Sequence, residues 1–356
     1  MADHMGREMA ETAAVARRLV EAPRAEEALR VVGARRYGSI VFVGCGSSYF
    51  AGITGAYAVD ALLGKMAVAI SALDFAHYRS GGVGPDTLVF ALSQSGETFE
   101  TLQAARTARE RGATVIAVTN GPESTLPGLA EASIPLLAGE EYGPGTKTVV
   151  AETLALYAFL VEWAGESESI APEKRAALRR ELQAAPALVQ HVQEQAAARR
   201  EIAERLAGQR TIAVVGSGPH SALAYQVANV LKETTKIHTE GFEAIEFRHG
   251  PLEMIGKDAA VISLGTHASP IHEHLRAVCQ IARRAGALWV AVTDEEDHRI
   301  PAEADLAFTH SGMSELMASI VTLSAFHQWA HEMATLRGLD PNAFGNIVKT
   351  WRDGSV

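Results

Sequence analysis

Short apolar runs rich in β-branched residues recur along the chain. Each is followed by a small, polar turn and then by a stretch with helical spacing. Ile40-Val41-Phe42-Val43 leads into Gly44-Cys45-Gly46-Ser47-Ser48 and a helical stretch from Tyr49 to Leu63. Leu88-Val89-Phe90-Ala91-Leu92 leads into Ser93-Gln94-Ser95-Gly96-Glu97-Thr98 and a helical pattern that begins near Phe99. Continuous apolar runs this short suit strands buried on both faces, and strands that alternate with helices predict parallel βαβ units.

The pattern occurs twice. Val214-Val215-Gly216-Ser217-Gly218 echoes Val43-Gly44-Cys45-Gly46, with Gly216 falling 172 residues after Gly44 (216 − 44). Ala260 to Thr266 echoes Leu88 to Gln94, and Gly286 to Thr293 echoes Gly112 to Thr119. This period is too long for a solenoid repeat. It predicts an α/β chain of two similar doubly wound parallel-sheet domains, flavodoxin-like in type. The expected boundaries are an N-terminal domain with a leading helix over 1–165, a helical linker over 166–208, a second domain over 209–335 and a tail over 336–356. The linker is charged and Ala-rich, as amphipathic helices with a solvated face are.

A strand that ends in hydroxyl residues and a glycine before opening a helix is suited to cradling phosphate. Helix N-termini carry unpaired N–H groups and the positive end of the dipole. Ser47, Ser48, Ser93, Ser95 and Thr98 add neutral donors, and Gly46 and Gly96 let backbone approach closely. The same loops also fit ordinary strand–turn–helix corners. No Lys lies in them, which excludes a P-loop, and the full Gly-x-Gly-x-x-Gly dinucleotide fingerprint is missing. In the second half Gly265-Thr266-His267-Ala268-Ser269-Pro270 replaces residues 93–98, so the first half is expected to hold the phosphate.

Composition narrows the class. A chain of 356 residues with 47% hydrophobic content can bury two cores. The net charge of −10 and the lack of a dense basic block argue against nucleic acid as a partner. No uninterrupted apolar run of membrane length is seen, and the polar N-terminus is unlike a secretory signal. Two cysteines, Cys45 and Cys279, fit a reducing cytosol, so a cytoplasmic location is expected. His267, His272 and His274 raise the question of a metal, but no Cys/Asp constellation supports one and none is expected.

Taken with Glu246-Phe247-Arg248-His249-Gly250-Pro251, the paired loops resemble the tandem sugar-isomerase (SIS) family. The likeness is to the isomerase half of glucosamine-6-phosphate synthase and to the stand-alone amino-sugar-phosphate deaminases. It covers nearly the whole chain, from an opening helix at Met5-Gly6-Arg7-Glu8-Met9 to the tail around Lys349. The resemblance implies an enzyme that takes a sugar 6-phosphate, with no cofactor. It assigns substrate binding to Gly46, Ser47, Ser48, Ser93, Gln94, Ser95, Thr98 and Thr146. Thr146 lies in a segment one residue shorter than the synthase's, with a proline.

Glu233 matches the family's catalytic glutamate, Lys349 its C-terminal lysine, and His249 a histidine that the family places in a partner subunit's site. A homodimer with His249 crossing the interface is therefore expected. On residue type alone, Glu233 also fits a surface glutamate paired with Lys232 or Lys236. His249 likewise fits a loop histidine bonded to backbone, and Lys349 a solvated tail charge. Val230 stands where the synthase has a lysine, which puts synthase-type chemistry in doubt, and no glutaminase segment precedes the repeat. The expected reaction is conversion of glucosamine 6-phosphate to fructose 6-phosphate and ammonia. Its rivals are deglycation of a fructosamine phosphate, isomerisation without nitrogen loss, a glutaminase-less synthase-like isomerase that accepts ammonia from a separate glutaminase, and a non-catalytic phosphosugar-binding regulator.

Overall fold

The computed structural model describes residues 3–22 and 25–354, with the side chains of 196–199 left aside. Two five-stranded, wholly parallel sheets form. The first comprises β1 (Ser39–Gly44), β2 (Ala67–Ser71), β3 (Thr87–Leu92), β4 (Thr114–Thr119) and β5 (Ala132–Pro135), in the order β2-β1-β3-β4-β5. The second comprises β6 (Thr211–Gly216), β7 (His238–Glu243), β8 (Ala259–Leu264), β9 (Leu288–Asp294) and β10 (Leu306–His310). Its order, β7-β6-β8-β9-β10, repeats that of the first. The expected α/β class with two doubly wound sheets is thus the observed one.

The chain makes two compact units. The unit around the first sheet contains Ala14–Glu141, Lys147–Pro186 and the chain from Asn346 onward. The unit around the second contains the chain up to Ala13, Tyr142–Thr146 and Ala187–Gly345. Two helices, Pro172–Glu194 and Ala196–Ala207, occupy the charged segment, and the first carries Pro186 internally.

Every residue of β3 and β4 is buried, as central strands of a covered parallel sheet must be. Phe42 stacks on Phe90 with ring centroids 4.9 Å apart, and Phe159 meets Phe90 edge-on at 5.9 Å. Phe159 belongs to the helix Lys147–Glu166, the one described helix long and apolar enough to cross a membrane by length and composition. Here it is a core helix, buried along nearly its whole length. It also carries two buried carboxylates, Glu152 and Glu162. Glu162 is matched by Arg175 at 2.5 Å and by Arg179 Nε at 2.7 Å, a pairing that buried charge requires.

In the other unit Trp289 is buried on β9 and donates its indole N–H to Ser263 on β8 at 2.9 Å. Behind that sheet, helix Glu315–Leu336 buries Phe326, His327 and Trp329. His327 has no protein partner for either ring nitrogen among the described residues, and burial pushes its pKa down to about 3. His220 is pushed down to about 3 by burial and by neighbouring His310. Below about pH 6.5 the unfolded chain takes up protons that these rings refuse until about pH 3, so folded stability falls through that window. His327→Leu is expected to flatten this acid-side loss in melting-temperature scans between pH 7 and pH 4. An unchanged slope would show that His327 is not buried neutral.

Candidate functional site

In the first sheet the chain leaves β1 toward β2 on one side and leaves β3 toward β4 on the other. The carboxyl ends of β1 and β3 therefore flank a switch point, where open α/β sheets bind ligands. Two loops meet this crevice. After β1 comes Gly44-Cys45-Gly46, then the helix Ser47–Leu63, with Gly46 as its N-cap at φ +52°. After β3 comes the loop 93–98, then the helix Phe99–Glu110, with Thr98 as its N-cap. Six of the expected substrate-binding side chains (Ser47, Ser48, Ser93, Gln94, Ser95 and Thr98) thus belong to the two loops of one switch point, together with Gly46.

The loop 93–98 is held from within and from behind. Ser93 Oγ lies 2.9 Å from Thr98 Oγ1 and accepts the Gly96 N–H at 3.1 Å. Ser95 Oγ accepts the Glu97 N–H at 3.1 Å. The next loop braces it: the Asn120 N–H donates to the Gln94 carbonyl, the Leu126 N–H to the Gly96 carbonyl, and Thr125 to the Glu97 carboxylate, with its N–H at 2.7 Å. Gly96 has φ +67°, and a Cβ there would stand 1.9 Å from Ser124 Oγ. Only glycine fits, on both conformational and steric grounds.

These bonds decide which hydroxyl hydrogens remain for a ligand. Ser95 accepts in its recorded bond, so its O–H is free to donate. One O–H is spent between Ser93 and Thr98, which leaves one. Ser48 differs: its Oγ lies 2.9 and 3.0 Å from the two carboxylate oxygens of Glu152, a residue 1% exposed. Desolvation, with a repulsive contribution from Glu141, pushes the Glu152 pKa up to about 8, against the lowering effect of Ser48. Sequence reasoning missed Glu152. Nothing in its spacing separates it from a surface glutamate of an amphipathic helix.

The tail joins the same unit. Lys349 Nζ donates to the Glu141 carbonyl at 2.6 Å and approaches its carboxylate at 3.3 Å, and Glu141 also accepts from Thr148. The Trp351 carbonyl accepts the Phe99 N–H at 3.0 Å, at the start of the cradle helix. The remaining expected residues lie in the other unit. Glu233 is half-buried on the helix Pro219–Thr235, with Asn229 Nδ2 donating to it at 2.9 Å. Val230, one turn earlier, is fully buried. His249 is exposed and caps the short helix Ala244–Arg248, and Thr146 is buried.

The carboxyl edge of the second sheet is filled differently. Asp294 accepts the His267 N–H at 2.7 Å and lies 2.8 Å from its ring. Asp297 lies 2.8 Å from His272. Glu243, bonded to Ser217, caps the helix Ala244–Arg248 by accepting the Ile245 and Glu246 N–H groups. His267, Asp294 and Glu296 offer ligand atoms within 4.8 Å of one another. His267 lies 3.4 Å from Glu296 as well, and His272 and His274 do not join the group.

Two flavodoxin-like sheets in tandem, with a hydroxyl-lined cradle on the first and carboxylates in its place on the second, define a duplicated and diverged α/β protein. The SIS domain model matches residues 35–162 and again 205–332, and the chain belongs to that family. Among curated relatives, the isomerizing glutamine–fructose-6-phosphate aminotransferase of Thermus thermophilus is 31% identical over 309 residues, 86% of this chain and 51% of that protein. That of Aeropyrum pernix is 33% identical over 88% of this chain and 51% of its own length. The chain thus spans about half the length of the curated relatives it matches. In fold it is similar to the C-terminal domain of glucosamine-fructose-6-phosphate aminotransferase from Francisella tularensis (TM-score 0.88, 22% identity, 96% of this chain and 99% of that one). It is also similar in fold to a glucosamine-6-phosphate deaminase from Thermotoga maritima (TM-score 0.77, 18% identity, 98% and 99%).

Gly96→Ala is expected to cost about 1–3 kcal/mol of stability, as overpacked and positive-φ sites do, and to abolish binding at the cradle. Urea unfolding checks the first effect and ligand-induced thermal shift the second. A variant of wild-type stability would show that the loop is not held as described.

Proposed function

We propose that the protein is a phosphosugar aldose–ketose isomerase that acts on a 2-amino-sugar 6-phosphate and releases its nitrogen. The substrate is glucosamine 6-phosphate and the products are fructose 6-phosphate and ammonia. The observation that carries this proposal is the cradle at the first switch point, where neutral hydroxyls converge beside a helix N-terminus with no basic side chain. Such a site suits a phosphate ester held by hydrogen bonds rather than by ion pairs. The aminotransferases and the deaminase that this chain resembles support the choice of an amino sugar.

The chemistry needs one carboxylate that serves both carbons. Glu233 takes the proton from C2 of the open-chain aldosamine, giving an enolamine. It returns the proton to C1, leaving a ketimine at C2, and water then hydrolyses the imine to ketone and ammonia. Ser47, Ser48, Ser93, Gln94, Ser95 and Thr98, with the Gly46 backbone, hold the phosphate, and Thr146 contributes to the sugar site. His249 assists ring opening from the partner subunit of a homodimer, and Lys349 of the tail serves the sugar's reactive oxygen. The reaction requires no redox cofactor. Val230 places an alkyl group where the synthase-type lysine would stand, which favours release of nitrogen over its incorporation.

Purified protein given glucosamine 6-phosphate is expected to release ammonia and fructose 6-phosphate in equal amounts. Glu233→Gln should lower turnover by about 100-fold or more while sparing binding, the loss typical of a missing general base. Isomerisation without ammonia would sink the deaminase assignment. Tight binding with no turnover of any amino-sugar phosphate would favour a sensor.

If His249 works across a two-fold interface, mixing Glu233→Gln with His249→Asn protein should restore about a quarter of wild-type activity. Half of the re-sorted dimers then carry one intact site of two. No recovery after verified subunit exchange would place His249 in its own subunit's site.

A further inference from the structure

Three carboxylates are buried in the first unit, and they are neutralised in different ways. Glu162 has two guanidinium partners, and Glu141 has Thr148 and Lys349. Glu152 has neither cation nor backbone N–H, and the Ser48 hydroxyl is its one hydrogen-bond partner among the described residues. A single hydroxyl cannot compensate an ionised carboxylate that is 1% exposed, so the stable form at neutral pH carries a proton. Of the elements packed against it, the helix Ser47–Leu63 presents Ser48. The segment after β5 presents the Glu141 carboxylate, whose repulsion acts in the same direction. Lys349 of the tail bonds to Glu141.

We propose that Glu152 is a positioning residue that sets whether Ser48 donates or accepts in the cradle. When Glu152 is protonated, its O–H donates to Ser48 Oγ, and the Ser48 hydrogen is left to point at a bound phosphate. When it is ionised, it takes that hydrogen for itself, and Ser48 offers the ligand only lone pairs beside a buried negative charge. Affinity for a phosphate dianion is therefore high when the proton is present and falls as it leaves. The sign follows from the direction of the shift: the pKa is raised, so the neutral form persists up to about pH 8. The phosphate, with a second pKa of about 6, is mostly a dianion from pH 6.5 upward, and its residual titration acts in the opposite sense to that of Glu152. The inference rests on the phosphosugar assignment of the cradle.

The test is equilibrium binding of fructose 6-phosphate by calorimetry between about pH 6.5 and pH 9.5, with wild-type, Glu152→Gln and Ser48→Ala protein. Wild-type affinity should weaken about tenfold or more across this range, the worth of one hydrogen bond to a charged group. Glu152→Gln has nearly the same shape and donates permanently through its amide. It should bind at pH 9.5 as tightly as wild type does at pH 6.5. Ser48→Ala should bind weakly at both ends, with only the smaller slope that the Glu152 charge itself leaves.

In the ligand-free protein, the infrared band of a protonated carboxyl should be present at pH 7, fade near pH 8 and be missing from Glu152→Gln. A flat wild-type profile, or a slope retained in Glu152→Gln, would overturn the role of Glu152 while leaving the phosphosugar assignment intact. No binding at any pH would overturn that assignment and this inference with it.

Discussion

Every strand of a parallel sheet ends on the same edge, and each helix that follows starts there with N–H groups that have no partner in its own backbone. This protein has that edge twice, and what satisfies it governs what each half can bind. In the first unit the loop before the helix is built on small hydroxyls, Ser93, Ser95 and Thr98, which bond to one another and to the loop's own N–H groups, while Thr98 makes no side-chain bond to the helix it caps. In the second, carboxylates stand at this edge. Asp294 at the end of β9 accepts the His267 N–H of the loop after β8, and Glu243 at the end of β7 accepts the first N–H groups of the helix Ala244–Arg248. An anionic ligand is thus compatible with the first edge and repelled from the second. The duplication supplied two scaffolds of one strand order, and substitutions at their rims left hydroxyls on one edge and carboxylates on the other.

The cradle contains no fixed positive charge, so its strength depends on how many hydroxyl hydrogens are free to turn toward a ligand. The tail reduces what the backbone can add, because the Phe99 N–H at the start of the cradle helix is bonded to the Trp351 carbonyl. On the proposed function, affinity would rest on Ser47, Ser95, one hydroxyl of the Ser93–Thr98 pair, and Ser48. This small number gives the buried Glu152 its leverage: one proton changes the donor count by one and the local charge by one together.

Much of this could be read in the sequence. The continuous apolar runs at 40–43 and 88–92 became strands buried on both faces, and the echo of Gly44 in Gly216 became two sheets of one strand order. The N-cap glycines of the corresponding helices even share an unusual backbone, φ +52° at Gly46 and +57° at Gly218. The loop 93–98 was legible as a polar strand–turn–helix corner, with Thr98 capping the helix that follows. Pairing by side chain was not legible. Glu152, Glu162 and Glu233 all sit in helices. Yet one is neutralised by a proton, one by two arginines, and one is held by Asn229. Those differences come from contacts between residues 104 apart, as in Ser48 and Glu152, or 13 and 17 apart, as in Arg175 and Arg179 with Glu162.

The helix Lys147–Glu166 shows why such contacts persist. It is apolar enough to resemble a membrane span, and its place in the core means that each carboxylate on it must be neutralised. Glu162, set against Arg175 and Arg179 of the following helix, has its charge matched by two guanidinium groups. Glu152 lacks one, because the helix facing it brings Ser48 and glycine- and alanine-rich packing rather than a cation. A leucine there would pack at less electrostatic cost. A carboxylate kept against that cost, with both oxygens turned to a cradle hydroxyl, is better accounted for by what it does to Ser48 than by what it does for the core.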